Sequence, residues 1–319
     1  MSFLALHLTY TSARVSVYDP RPDLAAHMES LLPLYLPPTQ TVDVLLTSKR
    51  LTIAPTLADA VRAATIIQEQ GPENLGFKQR TWSEVLASGV ASTAHLWSST
   101  SGIPASQQLA HLPPGEEADA ARRRLLVVHP FNPPHIMPLL ELVPSPTTSA
   151  DEGAFARIYF GTLASGHRPV VLQRETPGFV ANRLSFVLFR EACALVDAGV
   201  VSVADCDEIV RASLGPRWAV GGPFRMYAFG GGNRGMRGFL DNIGEAIDGV
   251  WRDAADLSMG LNHDGRSSKD TAAAATAGWK DKVIGQTDDA YGLPGEADIK
   301  KRDRALKAVI RLQDEQRQE

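Results

Sequence analysis

The sequence predicts an α/β protein, a mostly parallel sheet with helices on both faces, followed by an all-helical half. Three observations carry this reading. Short apolar or alternating runs alternate with helical stretches from Arg14 to Gln173. Two of those runs, Leu125–Val128 and Leu139–Val143, flank a turn rich in Asn and Pro. After Arg174, helical periodicity continues with no strand-like run. Strands alternating with helices argue a parallel sheet, and the change of period argues a boundary near Arg174. Residues 1–174 and 175–319 are the domains expected.

Taken in order, Phe3, Leu6 and Tyr10, with Leu4 and Leu8, read as the apolar stripe of a first helix. A strand is the alternative, but the gap to Arg14 is too short for a parallel crossover. Arg14–Asp19 alternates like a strand, and Pro20 and Pro22 open a helix toward Leu36. Leu51–Ile53 reads as a strand, Leu57–Ala63 as a helix and Thr65–Gln68 as a strand. Gly71–Pro72 turns the chain into a helix from about Glu73 to Leu86. Ala94–Trp97 is a strand that ends in Ser98-Ser99-Thr100-Ser101-Gly102. Pro104–Ala110 is a short helix and the stretch around Pro113–Asp119 a surface loop. A helix over Glu152–Gly166 and a strand over Val170–Gln173 close the first half. In the second half, Phe179–Ala198, Val203–Leu214, Phe239–Trp251, Thr271–Val283 and Ile299–Gln316 read as helices.

Composition narrows the function classes. The chain has 319 residues, of which 44% are hydrophobic, enough for two cored domains. A net charge of -4 gives no basic footprint for nucleic acid. No apolar run is long enough to span a bilayer, and the first residues lack the basic region of a signal peptide. Cys193 and Cys206 are expected as inert thiols in a reducing compartment, hence a cytoplasmic protein.

The residues that suggest chemistry surround the paired apolar runs. His129 leaves the first run at its carboxyl end, where ligands of open α/β sheets bind. Glu141 lies inside the second run, where a charge is costly without a partner. A carboxylate facing an imidazole fixes its tautomer and raises its basicity, which makes a general base. The bland alternative is a structural ion pair. Asp19, ending a strand, could bond ribose hydroxyls of a nicotinamide cofactor or cap a turn. The Ser98–Gly102 run could offer hydroxyls to a ligand or form an ST-turn. Pro177 and Gly178 break the chain, so Asn182 falls in the first turns of a helix.

A dinucleotide-binding half should open with a strand, a Gly-rich turn and a helix. Here the chain starts about where that helix belongs, and no glycine precedes Gly71. The expectation is an incomplete half lacking its first strand and Gly loop, from a longer protein. The one literal G-x-G-x-x-G, Gly230, Gly232 and Gly235, follows no strand. It reads as a flexible connection between helices.

HPFNPPHIMPLLELV together with ETPGFVANRL closely resembles the 3-hydroxyacyl-CoA dehydrogenase superfamily. FNPPH, SSTSG and LGPRWAVGGPF are more similar to its lambda-crystallin/L-gulonate 3-dehydrogenase branch, which includes carnitine dehydrogenase-like enzymes. The resemblance runs from about Arg14 to about Trp251. It implies a Rossmann-like domain, NAD as cofactor and a homodimer through the helical domain. It implies His129 as catalytic base, Glu141 as its paired acid, and Ser101 and Asn182 as catalytic residues that contact the substrate, with Ser101 also reaching the cofactor. It also implies Asp19 as ribose acid, Asn132 near the nicotinamide, and Glu73 and Lys78 on the cofactor side. Beside it, Arg217, in a turn-rich segment, is expected to grip a small carboxylate. The activity expected is NAD-dependent oxidation of a short, L-gulonate-like 3-hydroxy acid. The alternatives are a 3-hydroxyacyl-CoA dehydrogenase of fatty-acid metabolism and a non-catalytic, crystallin-like or inactive protein.

Overall fold

The computed structural model describes residues 1–254, 257, 259 and 278–318. The chain divides into two compact units, Met1–Arg183 and Leu184–Glu319.

The first unit begins with α1 (Ser2–Tyr10), β1 (Val15–Val17), α2 (Leu24–Leu31), α3 (Val42–Thr47), β2 (Leu51–Ile53) and α4 (Leu57–Val61). It continues through β3 (Ile66–Glu69), α5 (Leu75–Ala87), β4 (His95–Ser98), α6 (Ala105–Gln108) and α7 (Glu116–Arg124). Then come β5 (Leu125–Pro130), β6 (Leu139–Pro144), α8 (Ala150–Thr162), β7 (Arg168–Val171) and the opening turn of α9 (Ala181–Asp197). The strands form two sheets: β1 with β2, and a five-stranded sheet in the order β3-β4-β5-β6-β7. Every pairing is parallel except β5 with β6.

Side-chain alternation gives the five-stranded sheet two apolar faces. Leu126 and Val128 of β5, with Leu140 and Leu142 of β6, meet Phe160 of α8 on one face. Leu125, Val127 and Val143 meet Trp82 and Val85 of α5 on the other. Helix α1 is shared between the sheets. Phe3 and Leu6 pack in the five-stranded sheet's core, while Ala5 and Leu8 pack with Leu24, Met28, Leu32 and Leu51 beside β1 and β2. A helix apolar all round belongs in an interior, and this one has an interior on two sides.

Local chemistry sets the helix starts. Thr41, Thr56, Asn74 and Ser149 each accept a backbone N–H from the first turn of α3, α4, α5 and α8. The loop expected around Pro113–Asp119 is in part α7. Glu116, Glu117 and Asp119 fill its first turn and Arg122–Arg124 its last, which suits the helix dipole at both ends. Arg122 also donates to the Leu112 carbonyl at 2.7 Å, and Arg124 to that of Ala94 at 2.8 Å. The single helix expected between Pro20 and Leu36 is α2 followed by a 3₁₀ turn at Leu32–Leu34. The last strand starts earlier than expected, at Arg168.

The second unit holds the rest of α9, then α10 (Val203–Ala212), α11 (Leu214–Val220), α12 (Pro223–Gly230), α13 (Gly235–Asp253), α14 (Gly278–Tyr291) and α15 (Glu296–Gln318). The segment Gly230–Gly235 links α12 to α13, as a connection and not a phosphate loop. Of the helix expected over Thr271–Val283, residues 271–277 lie outside the described residues. No described helix is long and apolar enough to cross a membrane.

A polar chain fixes α1 in the first unit. Tyr159 donates its hydroxyl to His7 Nδ1 at 3.0 Å, His7 Nε2 donates to Gln68 Oε1 at 3.0 Å, and Gln68 donates to Ser99 Oγ at 2.9 Å. The tautomer follows from which partners can accept. Burial pushes the His7 imidazole below its ordinary range, outweighing its hydrogen bond to Gln68. Burial does the same to His167, against its bond to the Pro134 carbonyl. With folded pKa values below about 6.5, the unfolded chain takes up protons first. Stability is therefore full above that pH and falls as pH drops through it. Melting temperature is expected to decline between about pH 7.5 and about pH 5.5, with a shallower slope in His7→Asn. Equal slopes would show that His7 is not one of the groups responsible.

Candidate active site

The site grows from the register of β5 and β6. His129 lies directly opposite Glu141 in this antiparallel pair, so both side chains leave the same face. That face also carries Val127 and Val143, which seal the pair from below. His129 Nδ1 and Glu141 Oε2 are 2.9 Å apart, and each residue is 2% exposed. A carboxylate only accepts, so Nδ1 carries the proton and Nε2 keeps its lone pair. The Phe179 ring lies 5.4 Å from the imidazole, centroid to centroid.

Glu141 has a second set of partners. Its Oε1 accepts the backbone N–H groups of Val180 and Ala181, both at 3.0 Å. Ala181 opens α9, so the carboxylate also sits at a helix N-terminus. Burial pushes the Glu141 carboxyl up, but the hydrogen bonds from His129, Ala181 and Val180 outweigh it and hold the group below the usual carboxylate range. The carboxylate is therefore ionised when it meets the imidazole.

The serine run forms the next wall. Glu73 Oε1 accepts from Thr100 Oγ1 at 2.6 Å and from the Gly102 N–H at 2.9 Å; Oε2 accepts from the Ser101 N–H at 3.3 Å. Three donors from one turn converge on one carboxylate, and the turn presents Ser101, which is half-buried. Asn182 donates from Nδ2 to the Ser101 carbonyl at 2.8 Å, and the Gly178 N–H donates to the Gly102 carbonyl at 3.3 Å. The structure thus brings His129, Glu141, Ser101 and Asn182 onto one connected framework. Asn132 is exposed just past β5, and Asp19 is exposed just past β1, its Oδ1 accepting the Arg21 N–H at 2.9 Å.

Two residues expected on the cofactor side have partners within the protein. Lys78 is fully buried, and its ammonium donates to both oxygens of Glu69, at 2.8 and 3.1 Å. It braces the end of β3, where Glu69 also accepts from Ser98 Oγ. Glu73 spends its carboxylate on the serine turn, so its work is to shape that turn. Arg217 is exposed on α11, a helix where a turn-rich segment was expected. Sequence reasoning missed the N–H groups of Val180 and Ala181. The Pro-Gly pair just ahead of α9 was the available signal for a helix N-terminus aimed at an acid.

An acid just past β1 and a carboxylate-held imidazole at the carboxyl end of β5 are groups of the kind a dinucleotide-dependent oxidoreductase uses. The pattern of the 3-hydroxyacyl-CoA dehydrogenase NAD-binding domain matches residues 13–176, and that of the C-terminal domain matches residues 178–253. The chain belongs to the 3-hydroxyacyl-CoA dehydrogenase family, and its cofactor is NAD. It is 33% identical over 288 residues to an L-carnitine dehydrogenase of Streptomyces griseus subsp. griseus, covering 86% of this chain and 83% of that one. A 3-hydroxyacyl-CoA dehydrogenase of Gibberella moniliformis is 38% identical over 203 residues, which is 62% of this chain; the chain spans 59% of that relative's length. The crystal structure of an NAD-dependent pyridine-carboxylate 5-dehydrogenase superposes with a TM-score of 0.71 at 24% identity, over 97% of this chain and 94% of that one, and shows the shared fold.

The donor set fits NAD at its ribose and nicotinamide ends. An exposed carboxylate after β1 suits ribose hydroxyls, and the exposed amide of Asn132 and the Ser101 turn follow β5 and β4. Gly230, Gly232 and Gly235 play no part, because no strand leads into them.

Proposed function

We propose that the protein oxidises the 3-hydroxyl of a short 3-hydroxy acid, with His129 as base. The observation that carries this reading is the buried His129–Glu141 pair, held at 2.9 Å with Nδ1 committed to the acid. Bound NAD supplies the hydride acceptor. His129 Nε2 takes the hydroxyl proton while the hydrogen on the same carbon leaves as hydride, so the product is a 3-keto acid. Ionised Glu141 stabilises the imidazolium that results. We assign Ser101 and Asn182 to the substrate oxygen as it gains carbonyl character. Asp19 would hold ribose, and Asn132 the nicotinamide side. Residues 1–174 would serve the cofactor and 175–319 the substrate and the dimer.

The free acid is favoured by the name of a relative that matches 86% of the chain, since carnitine is itself a 3-hydroxy acid. An L-gulonate-like acid belongs to the same class and is supported by the serine run and LGPRWAVGGPF. The Gibberella relative supports an acyl-CoA alternative. Free thiols at Cys193 and Cys206 support a reducing, cytoplasmic setting.

A homodimer is supported by the second unit's surface. Phe186, Phe189, Phe224, Trp251 and Leu184 are all more than half exposed, while Cys193, Val196 and Trp279 are its buried apolar side chains among the described residues. Sedimentation is expected to give twice the chain mass; a monomer at micromolar concentration would count against it.

The test of function is a panel of free 3-hydroxy acids and 3-hydroxyacyl thioesters with NAD. Turnover of the free acids is expected; turnover of thioesters alone would favour the acyl-CoA reading, and turnover of neither the crystallin-like one. In Glu141→Gln the amide N–H₂ faces His129, so the ring must flip its proton to Nε2. The variant is expected to fold and to lose roughly 10²–10⁴-fold in kcat. Arg217→Ala is expected to raise KM for a carboxylate substrate selectively, and an unchanged KM would remove Arg217 from the site.

A further inference from the structure

The turn ahead of α9 has an unusual backbone. Gly178 and Phe179 follow one another in the left-handed region, at φ 73° and φ 52°. Glycine takes that conformation freely, but a bulky L-residue does not. Phe179 is also fully buried, in the core with Val127, Val143 and Leu172. Its N–H is bonded back to the Thr176 carbonyl at 3.0 Å. The two N–H groups that follow are those of Val180 and Ala181, both on Glu141 Oε1.

We infer that Phe179 is a positioning residue: its left-handed backbone aims the Val180 and Ala181 N–H groups at Glu141, and burial of its ring holds the backbone in that conformation. Backbone in a sparsely populated region persists only where its surroundings over-determine it. Here the ring is the anchor and the two amides are the output. Relaxation to negative φ would turn those amides away. Glu141 would then lose two of its three donors and its fixed orientation, and His129 would lose its single tautomer. The residue acts on the base through the acid, and its ring also lies 5.4 Å from the imidazole, centroid to centroid.

The test compares substitutions of matched volume. Phe179→Met is unbranched and fills the space; Phe179→Ile is β-branched and resists positive φ more strongly. The readout is the ¹⁵N chemical shift of the His129 imidazole, which reports the tautomer directly and needs no turnover. It therefore stands even if the substrate reading fails. The kinetic arm rests on His129 as base. Phe179→Met is expected to keep the Nδ1–H form. Phe179→Ile is expected to raise the Nε2–H form at least fivefold, and to lower kcat with KM nearly unchanged. Should the isoleucine variant not fold, Phe179→Gly and Phe179→Ala ask the same question, because both delete the ring and differ by one Cβ. The glycine variant, which takes positive φ freely but has lost the anchor, should keep more of the Nδ1–H form than the alanine variant, which has lost both. Equal tautomer populations within whichever pair folds would overturn the inference.

Discussion

The site depends on one carboxylate being fully occupied. Glu141 sits in an apolar sheet interior, where an unpartnered charge would neutralise itself by taking a proton. Three donors prevent that. One is the imidazole it orients, and two are backbone amides that cost no side-chain entropy to place. The antiparallel β5–β6 pair supplies the first by register, and the start of α9 supplies the others. A helix begun a residue later would withdraw an amide from the acid, and a strand slipped by one would separate acid from base. A one-residue slip of either strand would move that strand's side chain to the opposite face, away from its partner.

Around that centre, further acids do similar work at a distance. Glu73 gathers the serine turn and Glu69 holds the buried Lys78, so the ends of β3 and β4 are fixed by charge as well as by ladder bonds. Such pairs give orientation more reliably than stability, since desolvation offsets much of their attraction. Their value is to keep Ser101 and Asn182 on a common frame, through the Asn182 amide on the Ser101 carbonyl.

Much of this is legible in residue order. The runs flanking the Asn–Pro turn mark β5 and β6, and a charge inside an apolar run points from Glu141 to His129. The N-terminal stripe is readable as α1 because its apolar positions recur at helical spacing. What stays hidden depends on backbone geometry or on distant partners. The φ of Phe179 leaves no trace in composition. That Lys78 is held by Glu69, at the end of β3, is likewise invisible in residue order. Helix α7 reads as a loop because its polarity outweighs the sorting of its charges into an acidic first turn and a basic last one.

The chain from Tyr159 through His7 and Gln68 to Ser99 has a consequence for how the first unit keeps its shape. Among the described residues no backbone ladder joins β1 to β3, and α1, with side chains in the cores beside both sheets, helps tie one to the other. Grease alone would let such a cylinder roll or creep along its groove, because dispersion forces hardly distinguish one azimuth from the next. Directional bonds at a single imidazole do distinguish them. His7 is therefore a keyway: it indexes the shaft against the five-stranded sheet.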